Sequence, residues 1–227
     1  MRAPRVSVII PALDEEAVIS QVVRAVPRDL VQEVIVVDNG SRDRTAEVAQ
    51  AAGAMVVRES VRGYGAACRA GIRAATEPEI FVFCDGDGSD DPKEMPEVLG
   101  PILEDQADLV IGARTYCEEG ALTPQQRFGN QLVLSLVRLL YGLKLTDLGP
   151  FRAITAKALW DLTMEHRTYG WPVEMVVKAV KKGYRIVEVP TSCRKRIGRS
   201  KVAGTVKGSL LAGYHLLLTT LRYAWRQ

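Results

Sequence analysis

Five short runs rich in β-branched residues punctuate the first 111 positions: Val6 to Ile10, Val34 to Asp38, Ala54 to Arg58, Ile80 to Cys84 and Leu109 to Ile111. Between them the apolar positions switch to helical spacing, as in Val18, Ile19, Val22, Val23 and Val26, and again across Thr45 to Ala52. Parallel strands need long crossovers, and crossover helices bury both faces of the sheet, so this alternation predicts an α/β fold with a mostly parallel central sheet. In open sheets of that kind ligands bind beyond the carboxyl ends of the strands. Function is therefore expected at the turns that follow the strands: Pro11 to Glu16, Asp38 to Asp43, Glu59 to Gly65 and Asp85 to Asp91.

Past Ala113 the pattern loosens. It predicts a helix from Gln125 to Leu140, a turn at Thr146 to Pro150, a helix around Pro172 to Lys182, a strand at Arg185 to Val189 and then a basic loop. No repeat, low-complexity tract or Gly/Ser linker divides the chain, so a single domain is expected over residues 1–227. Residues 1–113 form one half of it, 114–201 complete the site, and 202–227 are read as a C-terminal amphipathic helix.

A content of 47% hydrophobic and 25% charged residues excludes a disordered or fibrous chain. The net charge of +3 is unevenly spread, with Arg194, Lys195, Arg196, Arg199 and Lys201 clustered and acids crowded from Asp85 to Glu94. Two local fields of opposite sign follow. Cys68, Cys84, Cys117 and Cys193 are widely separated, form no metal-ligand pair and read as reduced thiols of a cytoplasmic protein. The apolar run before Pro11 is too short for a secretory signal, and Ser209 to Leu221, interrupted by Gly213 and His215, falls short of the about 20 residues that span a bilayer. A cytoplasmic location is expected, with the inner face of the membrane as a point of contact.

The segment Cys84-Asp85-Gly86-Asp87-Gly88-Ser89-Asp90-Asp91 places several oxygen ligands just beyond a buried strand, which suits the hard cations Mg²⁺ or Mn²⁺. The bland reading is an acidic turn that caps the next helix, and it fits Asp90 or Asp91, before Pro92, better than Asp85 and Asp87. An EF-hand would need glycine at Asp90 and glutamate at Pro96. A haloacid-dehalogenase phosphatase shares the strand-D-x-D-G-S opening, but a long βαβα stretch precedes it here and no downstream acidic pair completes its metal site. Arg62-Gly63-Tyr64-Gly65 opens a helix after a strand, where backbone N–H groups suit an anion. Pro11-Ala12-Leu13-Asp14-Glu15-Glu16 is an acid-rich helix start, and Asp38-Asn39-Gly40-Ser41 contains an Asn-Gly turn.

In combination, P-A-L-D-E-E, V-I-V-V-D-N-G-S-x-D-x-T, R-G-Y-G-A-A and the strand ending D-G-D-G-S resemble family 2 glycosyltransferases of the GT-A fold, over residues 5 to 115. The later I-G-A-R, Q-R-F-G-N, T-D-L-G-P-F-R-A and G-R-S-K are most similar to the polyprenyl-phosphate (dolichyl-phosphate) sugar synthase branch. That resemblance implies transfer of one sugar, with inversion, from a UDP- or GDP-sugar to a polyprenyl phosphate. Residues 1–113 then bind the nucleotide-sugar and 114–201 the acceptor. It also implies roles for single residues. Pro11, Leu13, Glu15 and Asp38 line the pocket for base and ribose, with Ala12, Gly40, Gly63 and Gly86 as further substrate-binding positions and Arg62 near the diphosphate. Asp85 and Asp87 hold the metal, and Ser89 stands where the branch often has glutamine. Arg114, Arg127, Arg199 and Lys201 face the acceptor phosphate, with Asp87 and Arg127 as the catalytic pair. The branch places arginine three residues before the glycine of G-x-S-K, where this chain has Lys195 between Arg194 and Arg196.

A phosphate acceptor is already ionised near neutrality, whereas a hydroxyl acceptor needs a general base, for which Glu174 and Asp147 are the candidates. The alternatives are accordingly a family-2-like enzyme with a soluble hydroxyl acceptor, the phosphatase, and an inactive nucleotide-binding module. Leu210, Leu211, Tyr214, Leu217, Leu218, Leu221 and Trp225 recur at three- and four-residue steps beside the basic cluster. Such a stripe lies on an anionic membrane surface or packs against the sheet or a second subunit. Nucleic acid is not an expected partner, since aromatic residues are not interleaved with the cations. His166 and His215 are isolated and read as non-catalytic.

Overall fold

The computed structural model describes residues 3–197 and residue 223. Its strands are β1 (Val6–Ala12), β2 (Glu33–Asp38), β3 (Met55–Arg58), β4 (Ile80–Phe83), β5 (Leu109–Cys117), β6 (Arg152–Thr155) and β7 (Ile186–Cys193). They form one sheet in the order β3-β2-β1-β4-β6-β5-β7, in which β6 runs antiparallel to both its neighbours and every other pairing is parallel. The mostly parallel α/β sheet expected from the alternation is thus present. The helices are α1 (Ile19–Ala25), α2 (Thr45–Ala51), α3 (Tyr64–Ala74), α4 (Met95–Leu103), α5 (Pro124–Tyr141), α6 (Ala156–Leu162) and α7 (Trp171–Lys181).

Successive residues of a strand point to opposite faces, and both faces here are covered. Ile9, Ile35, Val37, Phe81 and Phe83 share a core with Ala67 and Cys68 of α3, Val133 of α5, Leu159 of α6 and Val173 of α7. Their alternates Val8, Ile10, Val34, Val36 and Val82 share the other core with Val22 of α1, Ala49 of α2 and Leu99 of α4. Burial on both sides is why the central strands read as unbroken apolar runs.

β2, β3, β4, α5 and α7 fall within one residue of the expected bounds at each end, and β1 runs two residues further, to Ala12. β5 runs on to Cys117 rather than stopping at Ile111, and β7 continues to Cys193 rather than Val189, because the two pair along their whole length with an irregularity between Arg114 and Tyr116. β6 and α6 stand between the expected turn at Thr146 to Pro150 and the expected helix around Pro172, where no element was anticipated. β6 is four residues long, too short to show a period, and its first residue is an arginine. No described helix is long and apolar enough to cross a membrane. The expected helix over 202–227 lies outside the described residues except for Tyr223.

α3 approaches the sheet through Gly71, where an added Cβ would lie 2.5 Å from Ile9 Cγ2 and 3.0 Å from Val37 Cγ2. Alanine is the better helix former by about 1 kcal/mol, but overpacking a core of this density costs about 1–3 kcal/mol. Gly71→Ala is expected to lower stability to urea by about 1 kcal/mol. A gain in stability would show that α3 can lift off the sheet freely.

Candidate functional site

A cleft of about 790 Å³ opens at the carboxyl ends of β1 and β4. The strand order reverses there: from β1 the chain passes to β2 and β3 on one side, and β4 lies on the other. An open parallel sheet leaves its crevice at this point. Pro11, Ala12, Leu13 and Glu15 reach the cleft from the end of β1, and Asp85, Gly86 and Asp87 from the end of β4.

The acidic turn is braced by its own backbone. Asp85 N donates to Asp90 Oδ2 at 2.9 Å, and Ser89 N donates to Asp87 Oδ1 at 2.9 Å. Asp91 accepts from Lys93 N and caps the following turn, as the bland reading of that residue anticipates. Asp85 Oδ1 is buried with no hydrogen-bond partner. Burial pushes the Asp85 carboxyl well above its usual range, and the charges of Asp90 and Asp87 push in the same direction. Asp90 is raised to about 7, again chiefly by burial.

The segment after β7 is laced onto this turn: Arg194 N donates to Ser89 O at 2.9 Å and Ile197 N to Asp87 O at 3.1 Å. Arg194 pairs with Asp91. Arg196 enters the cleft and bridges its two sides, with Nη2 2.8 Å from Glu15 Oε1 and Nη1 3.4 Å from Asp87 Oδ2. Of the three consecutive cations the sequence offers, Arg196 is the one lining the cleft.

At the start of α3, Asn39 organises the loop. Its side-chain amide donates to Glu59 O and Val61 O at 3.0 and 2.8 Å, and its Oδ1 accepts from Gly63 N at 2.8 Å. Arg62 lines the cleft and donates to Gly40 O at 2.8 Å. Gly63 has φ 141°, and a Cβ there would lie 2.2 Å from Arg167 O, so only glycine permits this approach. Ala66 N donates to the same Arg167 oxygen at 2.9 Å. Two of the N–H groups expected to serve an anion are thus already spent on protein acceptors.

Arg114 and Asp147 are committed to each other, through two side-chain contacts of 2.7 Å and a bond of 3.0 Å from Arg114 N. Asn130 also donates to Asp147 at 2.8 Å. Burial works to raise the Asp147 carboxyl, but the hydrogen bonds and charge of Arg114 outweigh it and hold Asp147 below the usual range. Glu174 is fully buried and accepts from Glu165 N, His166 N, Lys178 Nζ and the Tyr223 hydroxyl. Burial again works to raise its carboxyl and these donors win, leaving it below the usual range. Neither carboxylate is among the residues that line the cleft.

Of the expected site residues, the cleft assembles Pro11, Ala12, Leu13, Glu15, Arg62, Gly63, Asp85, Gly86 and Asp87. Asp38 is buried, accepts from Ser41 N at 2.8 Å and, with Gly40, lines a separate depression of about 410 Å³. Ser89, Arg114 and Arg127 lie outside the cleft lining, Arg127 exposed in the first turn of α5. Arg199 and Lys201 lie outside the described residues. The cleft adds Asn39, Arg42, Tyr64, Thr168, Tyr169 and Arg196. Asn39 sits in a motif already singled out, but its Asn-Gly step reads as a turn. Nothing local marks Thr168 or Tyr169.

Replacing Asp147 by alanine leaves the Arg114 guanidinium, 19% exposed, without its counter-charge. Breaking one side of such a pair costs about 3 kcal/mol, whereas replacing both partners by apolar residues costs far less. Asp147→Ala is expected to lose about 3 kcal/mol in urea unfolding, with most of it recovered in Arg114→Met/Asp147→Leu. Additive losses in the double variant would show that the pair is not coupled.

Residues 7–163 match the model for Glycosyl transferase family 2. An uncharacterised glycosyltransferase of Mycobacterium tuberculosis is 38% identical over 213 residues, 93% of this chain and 96% of that protein. The undecaprenyl-phosphate mannosyltransferase of Micrococcus luteus is 34% identical, covering 80% of this chain and 81% of its own. Among solved structures, glucosyl-3-phosphoglycerate synthase from Mycobacterium tuberculosis, in complex with Mn²⁺, UDP-glucose and phosphoglyceric acid, superposes with a TM-score of 0.80 at 25% identity. It covers 97% of this chain and 80% of its own. The same enzyme has also been solved with Mg²⁺ and UDP. The sheet is therefore of the expected GT-A kind. With a family match spanning more than half of its residues and a relative 38% identical along nearly its whole length, the chain belongs to glycosyl transferase family 2.

Proposed function

We propose that this protein is a metal-dependent hexosyltransferase that moves one sugar from a UDP- or GDP-sugar to a polyprenyl phosphate. The observation that carries the reading is Asp85 Oδ1, a buried carboxylate oxygen with no protein partner, beside Asp87 at the switch point of the sheet. A divalent cation fits that oxygen. Among the described residues no group of three or more His, Cys, Asp or Glu side chains converges to form a cage. Two carboxylates plus donor phosphates and water are how Mg²⁺ and Mn²⁺ are commonly held. When bound, the metal would offset the negative charge that develops on the departing diphosphate.

The chain's own residues supply the rest. Pro11, Leu13 and Glu15 form the wall for the nucleoside. Arg62 and Arg196 bring positive charge to the diphosphate, Arg196 by leaving Glu15 and Asp87 for a phosphate oxygen. Gly86, close-packed on Pro11 O and Ala12, keeps the backbone of the turn tight against β1. Support for the donor and metal comes from the synthase solved with Mn²⁺ and UDP-glucose. Support for the acceptor comes from the undecaprenyl-phosphate mannosyltransferase. Because Asp147 and Glu174 are both held by partners, an acceptor that arrives ionised is favoured over a hydroxyl. In the same reading the protein works in the cytoplasm, with the apolar stripe of Leu210, Leu211, Tyr214, Leu217, Leu218, Leu221 and Trp225 on the anionic inner face of the membrane, while Tyr223 belongs to the core.

Asp87→Asn is expected to lower sugar transfer about a hundredfold or more while leaving the melting temperature near wild type, since Asp87 belongs to a cleft turn rather than the core. Undiminished transfer in EDTA would refute the metal. Arg127→Ala is expected to raise KM for polyprenyl phosphate about tenfold, with UDP or GDP affinity unchanged in calorimetry. Equal losses of donor and acceptor affinity would move Arg127 to the donor pocket, and transfer to soluble hydroxyl compounds alone would replace the acceptor.

A further inference from the structure

The segment between α6 and α7 delivers Thr168 and Tyr169 to the cleft wall, and its backbone is gripped from two sides. On one side stand Gly63 and Gly65, where an added Cβ would lie 2.2 Å from Arg167 O and 2.1 Å from His166 O. Any larger residue at either position would push the segment away. On the other side, Glu174 accepts from Glu165 N at 2.9 Å and from His166 N at 2.8 Å. His166 Nδ1 then accepts from Thr168 N at 3.1 Å, which carries the constraint on to the residue that faces the cleft.

A fully buried carboxylate is unfavourable unless it is both paired and hydrogen-bonded. Glu174 meets both conditions, with Lys178 Nζ at 2.8 Å and the Tyr223 hydroxyl at 2.7 Å from Oε1. Lys178 also donates to Thr163 O at 2.8 Å, at the start of the same segment. Tyr223 is fastened a second time, its carbonyl accepting from Lys181 Nζ at 2.8 Å and its ring lying 5.0 Å from Lys178 Nζ. One carboxylate thus holds both the cleft segment and Tyr223, four positions before Gln227.

The groups that would hold the donor come from other elements: the ends of β1 and β4, the loop before α3, and Arg196. Thr168 and Tyr169 add uncharged hydroxyls to the cleft, which both donate and accept as the hydroxyls of a sugar require. We propose that Glu174 is a positioning residue for sugar transfer. It sets segment 165–169 as the wall that orients the sugar and acceptor, and Tyr223 ties the C-terminal segment to that wall. The inference rests on the glycosyltransferase reading of the cleft and extends it to a residue that touches no substrate.

The test uses the full chain with Glu174→Gln, Tyr223→Phe and, as a control, Leu99→Ala in α4, whose side chain is 1% exposed in the other core. A displaced substrate wall costs rate rather than donor binding. Glu174→Gln is therefore expected to lower kcat at least about tenfold, and Tyr223→Phe about threefold, with calorimetric affinity for UDP plus Mn²⁺ within about twofold of wild type. Leu99→Ala is expected to lose melting temperature yet keep kcat when assayed well below it. Amide exchange over 164–169 is expected to quicken in Glu174→Gln whatever the substrate proves to be. The proposal is overturned by unchanged exchange, by kcat and donor affinity falling in step, or by Leu99→Ala losing kcat equally. If Glu174→Gln fails to fold, Tyr223→Phe decides alone, and an unchanged kcat overturns the coupling. Faster exchange in a protein whose wild type transfers no sugar from any nucleotide donor would instead overturn the functional reading.

Discussion

Three carboxylates, Asp85, Asp87 and Asp90, share one turn at the end of a strand buried on both faces, and the surroundings answer to that concentration of negative charge. Like charges in a poorly solvated turn resist ionising together. The protein meets the problem in parts. Asp90 is given a backbone N–H, and Asp87 is given a backbone N–H and one edge of Arg196. Asp85 keeps one oxygen unmet. On the neighbouring strand Arg152, 1% exposed and in register with Phe83, donates to the carbonyls of Pro172 and Leu148 at 3.0 and 3.5 Å and to Met175 Sδ at 3.9 Å. Further out, Arg114 is fully occupied by Asp147. Among the described residues Arg42, Arg62 and Arg196 remain as the cleft-lining cations.

The parts of this arrangement that were legible in the sequence are those carried by short stretches. A strand buried on both faces must be a run of apolar residues, and the turn after it must carry the polar groups, so Pro11 to Glu15 and Asp85 to Asp87 could be read from position alone. Gly63 was legible as a helix start but not for its reason, which is the carbonyl of a residue about a hundred positions later. Arg196 could not be selected from Arg194, Lys195 and Arg196, because the choice depends on two backbone bonds to the acidic turn. The pairing of Arg114 with Asp147 was hidden for the same reason: each motif was visible, and nothing local said that one would use up the other. β6 escaped because four residues opened by a buried arginine show no strand period, and the acceptors that satisfy Arg152 come from residues outside the strand.

The two sides of the cleft are built by different means. The β1 and β4 walls are ends of paired strands, fixed by the sheet itself. The wall carrying Thr168 and Tyr169 belongs to no strand and is held by side chains reaching out of α7, with Gly63 and Gly65 at the start of α3 as its bearing surface. A rigid half and a tethered half suit a reaction in which a donor must be seated before its sugar is presented to a second substrate.

The position of β6 has a consequence for how the chain assembles. β1 to β4 pair only among themselves and with β6, so the first four strands can join as they leave the ribosome. β5 has no partner among them: its neighbours are β6 and β7, which follow after residues 152 and 186. For that interval a nine-residue strand whose first five residues end up buried has both edges bare, a state in which strands are open to mispairing with other chains. The antiparallel strand between β4 and β5 closes one edge over Leu109 to Ile111, and the other stays bare until β7 pairs along Leu109 to Cys117. The late half of this protein depends on the chain behind it more than the early half does.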